Sequence, residues 1–265
     1  MKKFSKIMRK KYKETNKKSI AIYLILRLFV ILSMIFQIVC GNISNVLMCI
    51  LALILFTIPT IISEKFKIGI PSLLEGIIYI FIYSTAILGE INNFYGIIPF
   101  WDTILHTLNG FICAGIGFSL VDLLNQNSNS FNLSPLYIAI VAFCFSMTVG
   151  ILWEFFEFSV DNIAKTDMQK DRIVTEISSV LINKNNAHIP ITVKNIEKTE
   201  IYSKDGTITI IENGYLDIGL IDTIKDLFVN FLGAVTFSII GFLYVKNRER
   251  YKFAEKFIPK KGIDK

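Results

Sequence analysis

The chain has 265 residues, of which 52% are hydrophobic, and its mean hydropathy is +0.52. These values are too apolar for an ordinary soluble domain of this length. The apolar residues also come in long blocks, which predicts membrane-spanning helices. The formal charge of +6 does not indicate nucleic-acid binding, because the basic residues are distributed as a membrane topology requires.

Six apolar blocks are long enough to cross the hydrocarbon core of a bilayer, which takes about 20 residues of helix. We therefore predict an all-α polytopic membrane protein with six transmembrane helices and a small extracytoplasmic α+β insertion. The predicted helices cover residues 19–40, 43–62, 68–88, 101–124, 136–158 and 222–245. The predicted divisions are a basic cytoplasmic tail (1–18), helices one to five (19–160), an extracytoplasmic lid (161–220), helix six (221–246) and a second basic cytoplasmic tail (247–265).

Basic residues are concentrated in the two tails. Nine Lys or Arg lie in residues 1–18 and eight in residues 246–265, whereas the connections 41–42 and 89–100 carry none. Because positively charged connections remain in the cytoplasm, both termini are predicted to be cytoplasmic. The expected location is the cell membrane, with the lipid bilayer as partner and no nucleic acid. The sequence indicates neither a substrate nor an oligomeric state.

The predicted lid is the one sizeable polar segment between helices. Its apolar residues within 171–183 recur at helical spacing, which predicts an amphipathic helix lying on the surface. Further on, strand-forming residues flank Asp205-Gly206, which predicts a β-hairpin, and Asn213-Gly214 offers a second turn. The lid is therefore expected to be small and rich in β-structure.

Strongly polar side chains recur at the same end of three predicted helices. Asp102 begins the fourth helix, and His106 lies one turn, or about 6 Å, deeper. Ionisable groups inside a bilayer are costly unless they are paired, hydrated or used, so their convergence predicts a functional site. The candidate catalytic or metal-binding residues are Asp102, His106, Glu154, Glu157 and Asp226, and the supporting residues are Asp222, Asn230 and Asn109.

Three interpretations of this cluster compete. In the first it binds a divalent metal: imidazole with carboxylates suits zinc, manganese or iron, whereas carboxylates alone suit calcium or magnesium. In the second it is a general acid–base pair, because crowded carboxylates share protons and an imidazole exchanges its proton near neutral pH. In the third it is structural: hydrated carboxylates lie at helix ends, and Lys225 pairs with Asp222 or Asp226.

Two further features concern helix packing. Arg27 and Glu75 lie at matched depths of about 11–12 Å in the first and third helices, which predicts an ion pair between them. Small residues on the fourth and sixth helices supply small surfaces for close helix packing. These small residues are Gly110, Ala114, Gly117, Gly233 and Ala234.

The polar motifs resemble those of the YjdF-like family of uncharacterised multi-pass membrane proteins in bacteria. The resemblance covers residues 45–245 and rests on Trp101-Asp102-x-x-x-His106-x-x-x-Gly110, Trp153-Glu154-x-x-Glu157, the stretch 167–171 and Asp222-x-x-x-Asp226. It implies the topology and the choice of site residues, but no reaction.

A looser resemblance to VanZ-like proteins rests on Asp102 with His106, on Glu154, and on Asp226-x-x-x-Asn230-x-x-Gly233. This chain lacks the glutamine that usually follows the glutamate in that family, and it adds a long insertion. The implication of envelope chemistry is correspondingly weak.

The expected function is chemistry at an outward-facing pocket of acidic residues and histidine. If the chain is an enzyme, metal-assisted or acid–base chemistry on a lipid-linked or envelope substrate is the natural class. His106 and one of the two glutamates would transfer protons, and Asp102, Asp222 and Asp226 would hold a cation or orient the other groups. The alternatives are an ion-coupled transporter and a non-catalytic structural membrane protein. A transporter needs polar groups across the whole membrane, and beyond Asn109 and Asn230 the sequence offers few.

Overall fold

The computed structural model describes residues 17–65, 68–127, 132–185 and 188–261. Within these residues, six helical segments are long and apolar enough to cross a membrane. They are Ser19–Val39, Ile43–Lys65, Ser72–Ile91, Trp101–Gln126, Pro135–Ala164 and Leu220–Lys246. The prediction of six transmembrane helices with a small strand-containing insertion is therefore confirmed.

Nine helices, α1 to α8 and one π-helix, build these spans and their connections in the described part of the chain. The second span consists of α2 and α3, separated near Pro59, which lacks the N–H that a continuous helix needs. The third consists of α4 and the π-helix. The bounds are α1 Lys17–Val39, α2 Ile43–Leu55, α3 Ile58–Lys65, α4 Ser72–Tyr83, π-helix Ser84–Ile91, α5 Phe94–Ile97, α6 Trp101–Asn127, α7 Pro135–Ala164 and α8 Leu220–Lys246.

The chain divides into two compact units, Met1–Gly150 with Asp226–Lys265, and Ile151–Lys225. The first unit contains two hydrophobic clusters. One joins α1, α2 and α4 with the π-helix, around the rings of Tyr23, Phe56 and Tyr79. The other joins α6, α7 and α8 and includes the fully buried Phe118 and Phe237. Many large apolar side chains on the outside of the helices are exposed, as expected for surfaces that face lipid.

The segment after α8 folds back onto the bundle. It forms a 3-10 helix, Lys252–Lys256, and a short strand, β8 (Lys260–Lys261), which pairs antiparallel with β1 (Ile68–Gly69). Ala254 and Ile258 are buried in the second cluster. The ring of Phe257 packs edge-on against Phe111 of α6, with 5.5 Å between ring centroids. The described part of this segment is therefore integral to the core.

A bidentate ion pair joins the C-terminal end of α6 to the segment after α8. The guanidinium of Arg248 donates to both carboxylate oxygens of Asp122, at 2.6 and 3.1 Å. Gln126 donates to the same carboxylate at 2.6 Å, and Arg248 lies over the ring of Tyr244. Asp122 is 2% exposed, so its charge is compensated within the protein.

The predicted Arg27–Glu75 ion pair is wrong for the residues that the structure describes. The guanidinium of Arg27 donates to the hydroxyl of Tyr23, one turn earlier on α1, and lies over its ring. The buried Glu75 accepts hydrogen bonds from Tyr79 at 3.0 Å and from Ser19 at 3.4 Å. Matched depth in the membrane did not predict the partner of Arg27, because its guanidinium binds the hydroxyl of Tyr23 on the same helix.

The second unit carries the strands of the insertion. They form three antiparallel pairs: β2 (Arg172–Val174) with β7 (Tyr215–Asp217), β3 (Ile177–Ser179) with β4 (Ile191–Val193), and β5 (Lys198–Tyr202) with β6 (Ile208–Glu212). The predicted β5–β6 hairpin at Asp205-Gly206 is confirmed. The turn at Asn213-Gly214 is also present, with a left-handed backbone at Asn213.

The predicted amphipathic helix over residues 171–183 is wrong. That stretch forms β2 and β3, followed by a short 3-10 helix, Val180–Ile182. The spacing of its apolar residues fits a helix, but strand partners elsewhere in the unit decide the outcome. Pairing of β2 with β7, some forty residues later, is a non-local interaction that periodicity does not register.

Candidate functional site

The site begins with an unusually close approach of α6 and α8. A Cβ on Gly110 would overlap the carbonyl oxygen of Asn230, and a Cβ on Gly233 would overlap that of Thr107. Only glycine therefore allows the two backbones to meet at this depth. Ala114 and Ala234 are fully buried nearby, and Gly117 packs against the Phe145 ring. The prediction of close packing through these small residues is confirmed.

This approach brings three ionisable side chains together at the N-terminal ends of α6 and of the α8 segment in the first unit. Nε2 of His106 lies 3.4 Å from Oδ1 of Asp102 and 3.9 Å from Oδ2 of Asp226. One ligand atom from each residue lies within 4.8 Å of the other two. The side chains of Asp102, His106 and Asp226 are 23%, 13% and 3% exposed. We call these three residues the triad.

A layer of neutral polar groups lies next to the triad. Asn109 follows His106 by three residues and Asn230 follows Asp226 by four, so each continues the same helix face. The amide of Asn109 donates to Oδ1 of Asn230 at 3.3 Å, which links the two helices. Asn230 is 1% exposed, and a Cβ on Gly150 would lie 2.7 Å from its Nδ2. The supporting role predicted for the two asparagines remains a prediction.

We call the line of contact between α6 and α8 the seam. Further along the seam from the asparagine layer, the contacts between the two helices become aromatic. Phe237 of α8 packs against Phe111 and Phe118 of α6, with ring centroids 5.1 and 5.9 Å apart. Beyond the triad and the asparagine layer, the described ring contacts between α6 and α8 are aromatic, and the next charged pair along these helices is Asp122–Arg248.

A feature that the sequence did not reveal supports Asp102. The eight-residue π-helix Ser84–Ile91 ends the third span, and π-helical segments occur frequently at functional sites. Its first carbonyl, that of Ser84, accepts a hydrogen bond from the indole N–H of Trp101 at 3.3 Å. The Trp101 ring also packs edge-on against Phe94, at 5.0 Å. These contacts fix the first residue of α6, immediately before Asp102.

Glu154 and Glu157 belong to the second unit. Both are buried, at 4% and 8% exposure, while Phe155, Phe156 and Phe158 on the other faces of α7 are exposed. Oε1 of Glu157 accepts a hydrogen bond from the indole of Trp153 at 2.8 Å. The predicted membership of both glutamates in one site with the triad stays a prediction.

Asp222 is hydrogen-bonded within the second unit, and its predicted supporting role in the site stays a prediction. One carboxylate oxygen accepts the backbone N–H of Lys170 at 3.0 Å, and the other accepts from the guanidinium of Arg172 at 2.9 Å. Gln169 donates to Thr223 on the same turn. The stretch 167–171, which carried part of the family resemblance, thus fastens the insertion to the first turns of α8. Asp222 is 3% exposed, and its charge is matched by that of Arg172.

Comparison with known proteins identifies a family but no activity. An uncharacterised protein of Thermotoga maritima is 32% identical over 82 residues, which is 31% of this chain and 41% of that protein. The chain thus spans less than half the length of this relative. No solved structure matches the chain. The family described as "Predicted membrane protein (DUF2238)" matches residues 21–247, so the chain belongs to this family of predicted membrane proteins.

Proposed function

We propose that Asp102, His106 and Asp226 bind a divalent cation at one end of the membrane bundle. The observation that carries the proposal is the convergence of one imidazole nitrogen and two carboxylate oxygens from two helices within 4.8 Å. His106 directs the same atom, Nε2, towards both carboxylates. A single N–H cannot donate well to two acceptors at 3.4 and 3.9 Å, whereas a metal ion between the three atoms satisfies all of them.

The distances support a transition metal or zinc. With metal–ligand bonds of about 2.0–2.1 Å, neighbouring ligands of a tetrahedral ion lie about 3.3 Å apart. The Asp102–His106 separation of 3.4 Å is close to this value, and the His106–Asp226 separation of 3.9 Å exceeds it by about 0.6 Å. Neutral imidazole with two carboxylates suits zinc, manganese or iron better than calcium or magnesium.

Charge and coordination number support a catalytic ion. Two carboxylates carry two negative charges, which a divalent cation neutralises in a largely buried setting. Three protein ligands leave a position for water or substrate, as in catalytic zinc sites. An ion bound there would polarise a substrate oxygen or supply hydroxide near neutral pH. This chemistry would serve metal-assisted hydrolysis or transfer on a lipid-linked or envelope substrate.

The aromatic stretch below the asparagine layer favours this function over ion-coupled transport. Phe237 packs against both Phe111 and Phe118 along the α6–α8 seam. A carrier would require polar groups to continue there. We also propose that the family resemblance extends to the YjdF-like proteins, and that both termini face the cytoplasm with the triad at the outer end of the bundle.

The experiment is metal analysis of the purified full-length protein. After dialysis against zinc, manganese or iron, the wild type should retain about one ion per chain of at least one of them. His106→Ala and Asp226→Asn should lose it. The matched control is Asp222→Asn: Asp222 is another buried carboxylate, one turn away on α8, but it is held by Lys170 and Arg172. This variant should keep the ion.

Three outcomes bear on the proposal. Retention of the ion by His106→Ala, or its absence from the wild type under all three metals, would refute a triad cation site. Loss from Asp222→Asn as well would indicate a general effect of charge instead of ligation. Glu154→Gln and Glu157→Gln address the wider site: loss of the ion in either would add that glutamate to the ligand set, and retention would limit the set to the triad.

The orientation has its own test. Lys204 lies in the turn of the β5–β6 hairpin, and Asn132 lies between the fourth and fifth spans; both are exposed. With the exposed Cys40 and Cys144 replaced by serine, cysteine at position 204 should react with an impermeant maleimide in intact cells. Cysteine at position 132 should react only after lysis. The opposite pattern would place the triad at the cytoplasmic face.

A further inference from the structure

Two hairpins of the insertion, β3–β4 and β5–β6, end in turns of opposite character. The β5–β6 turn is polar: Ser203 pairs with Thr207, Asp205 accepts the N–H of Thr207, and Gly206 supplies the positive φ of 88°. This is the chemistry of a turn that faces water. In the β3–β4 hairpin, by contrast, β3 runs directly into the apolar 3-10 helix Val180–Ile182.

The apolar side chains of this second hairpin project outward. Leu181 is 92% exposed, Ile189 57%, Val180 40% and Ile182 38%. We call these four residues the hairpin tip. A Leu side chain at 92% exposure is in nearly the same state as in the unfolded chain, so folding of the insertion gains nothing from it.

Hydrogen bonds hold the tip in this arrangement. Leu181 donates its N–H to the hydroxyl of Ser179 at 3.1 Å, and the N–H of Asn183 binds the carbonyl of Val180 at 3.1 Å. The side-chain amide of Asn183 donates to the carbonyl of Ile189 at 3.0 Å, which ties the two sides of the tip together. The tip is therefore a shaped apolar surface with a polar base.

The small apolar area of the hairpin tip indicates the kind of partner that it fits. A stable protein–protein interface uses about 20–30 residues on each side, and four aliphatic side chains fall far short of that. A few aliphatic residues flanked by polar and basic ones suit the boundary between lipid headgroups and acyl chains, and Asn183, Lys184 and Asn185 follow Ile182 directly. The insertion is continuous at both ends with α7 and α8, which are long and apolar enough to cross a membrane, so it is covalently tethered to a bilayer.

We propose that the hairpin tip inserts into the headgroup–acyl boundary of the bilayer that the protein spans. The partner is lipid, bound without specific headgroup recognition. The insertion would then be anchored at three places: at the two helices and at the tip. This inference concerns the insertion alone and does not depend on the cation site.

The test uses a polarity-sensitive fluorophore on single cysteines of the full-length protein, with Cys40 and Cys144 replaced by serine. Leu181→Cys and Ile189→Cys probe the tip, and Lys204→Cys on the polar hairpin is the matched control. The labelled proteins are reconstituted into vesicles of phosphatidylcholine and phosphatidylglycerol. Because interfacial side chains lie about 5–10 Å inside the boundary, lipids with nitroxides on their acyl chains should quench both tip labels at least about threefold more than the control.

Each result decides the question. Blue-shifted emission at positions 181 and 189 with strong lipid quenching supports insertion. Emission typical of water, with quenching equal to that at position 204, would overturn it. A blue shift without lipid quenching, which disappears when the protein is diluted in lipid, would show that a second copy of the chain covers the tip and would equally refute the proposal.

Discussion

The two ends of the α6–α8 seam solve the problem of buried charge in different ways. At one end Asp122 meets a guanidinium and an amide, which supply two hydrogen bonds from Arg248 and one from Gln126. At the other end two carboxylates meet one imidazole, at distances of 3.4 and 3.9 Å. The first arrangement is a satisfied ion pair, whereas the second has the ligand types and spacing of an ion-binding site. The two ends therefore differ in the kind of group that their buried carboxylates face: a guanidinium with an amide at one end, and an imidazole with a second carboxylate at the other.

The largest effect should come from breaking the satisfied pair. Arg248→Ala leaves the carboxylate of Asp122 buried without its guanidinium, and should lower the free energy of unfolding by about 3 kcal/mol. Denaturant unfolding of the protein in detergent measures it. Asp226→Asn, at the other end of the seam, should change the free energy of the metal-free protein by less than about 1 kcal/mol. Equal losses for the two variants would abolish the distinction between the ends.

The glycine contact beneath the triad should give the next largest effect. Gly233→Ala forces the α6 and α8 backbones apart, and we expect a loss of about 2 kcal/mol together with loss of the bound cation. Gly115→Ala is the control: its Cβ would meet the edge of the Phe237 ring at 3.1 Å, and a ring can rotate away. An effect of Gly115→Ala as large as that of Gly233→Ala would count against backbone contact as the cause.

A smaller effect is expected from the hydrogen bond that holds Trp101, the residue immediately before Asp102. Trp101→Phe removes the hydrogen bond to the Ser84 carbonyl, which should cost about 1 kcal/mol and weaken cation binding up to about tenfold. Titration with the metal, followed by calorimetry, measures the affinity. Phe94→Leu removes the ring contact while leaving the indole bond intact, and should bind the cation as the wild type does. Wild-type affinity in Trp101→Phe would refute the positioning role.

The smallest expected effect is a coupling energy. Because Arg27 binds Tyr23 and not Glu75, the effects of Arg27→Met and Glu75→Gln on stability should add to within about 0.5 kcal/mol. The same double-mutant cycle on Asp122 and Arg248 should give a coupling several times larger. A large coupling between Arg27 and Glu75 would restore the ion pair predicted from their matched depth.

The features that the sequence predicted correctly are those with strong local signals. Six apolar blocks of membrane length mark the six spans, and the glycines at positions 110 and 233 mark the seam. The side chains of Asp102, His106 and Asp226, which the sequence singled out, lie within 4.8 Å of one another where α6 and α8 run side by side. The Asp205-Gly206 turn likewise specifies its hairpin through local backbone geometry.

What escaped prediction depends on contacts between distant residues. The apolar residues within 171–183 recur at helical spacing, yet residues 172–174 form a strand that pairs with β7. The π-helix at Ser84–Ile91 has no compositional signature, so the support for Asp102 could not be foreseen. The pairing of Asp122 with Arg248 joins residues 126 positions apart, one of them in a stretch that resembles a simple basic tail.

The pairing of β8 with β1 has a consequence for how the molecule is made. Translation delivers the first three helices early, and their cluster around Phe56 involves no later part of the chain. The second cluster must wait, because Ala254 and Ile258 leave the ribosome only after all six helices. Residues 260 and 261 then dock beside residues 68 and 69, which were synthesised almost two hundred residues earlier. The second cluster, which joins the helices that carry the triad, can therefore be completed only after all six helices have been synthesised.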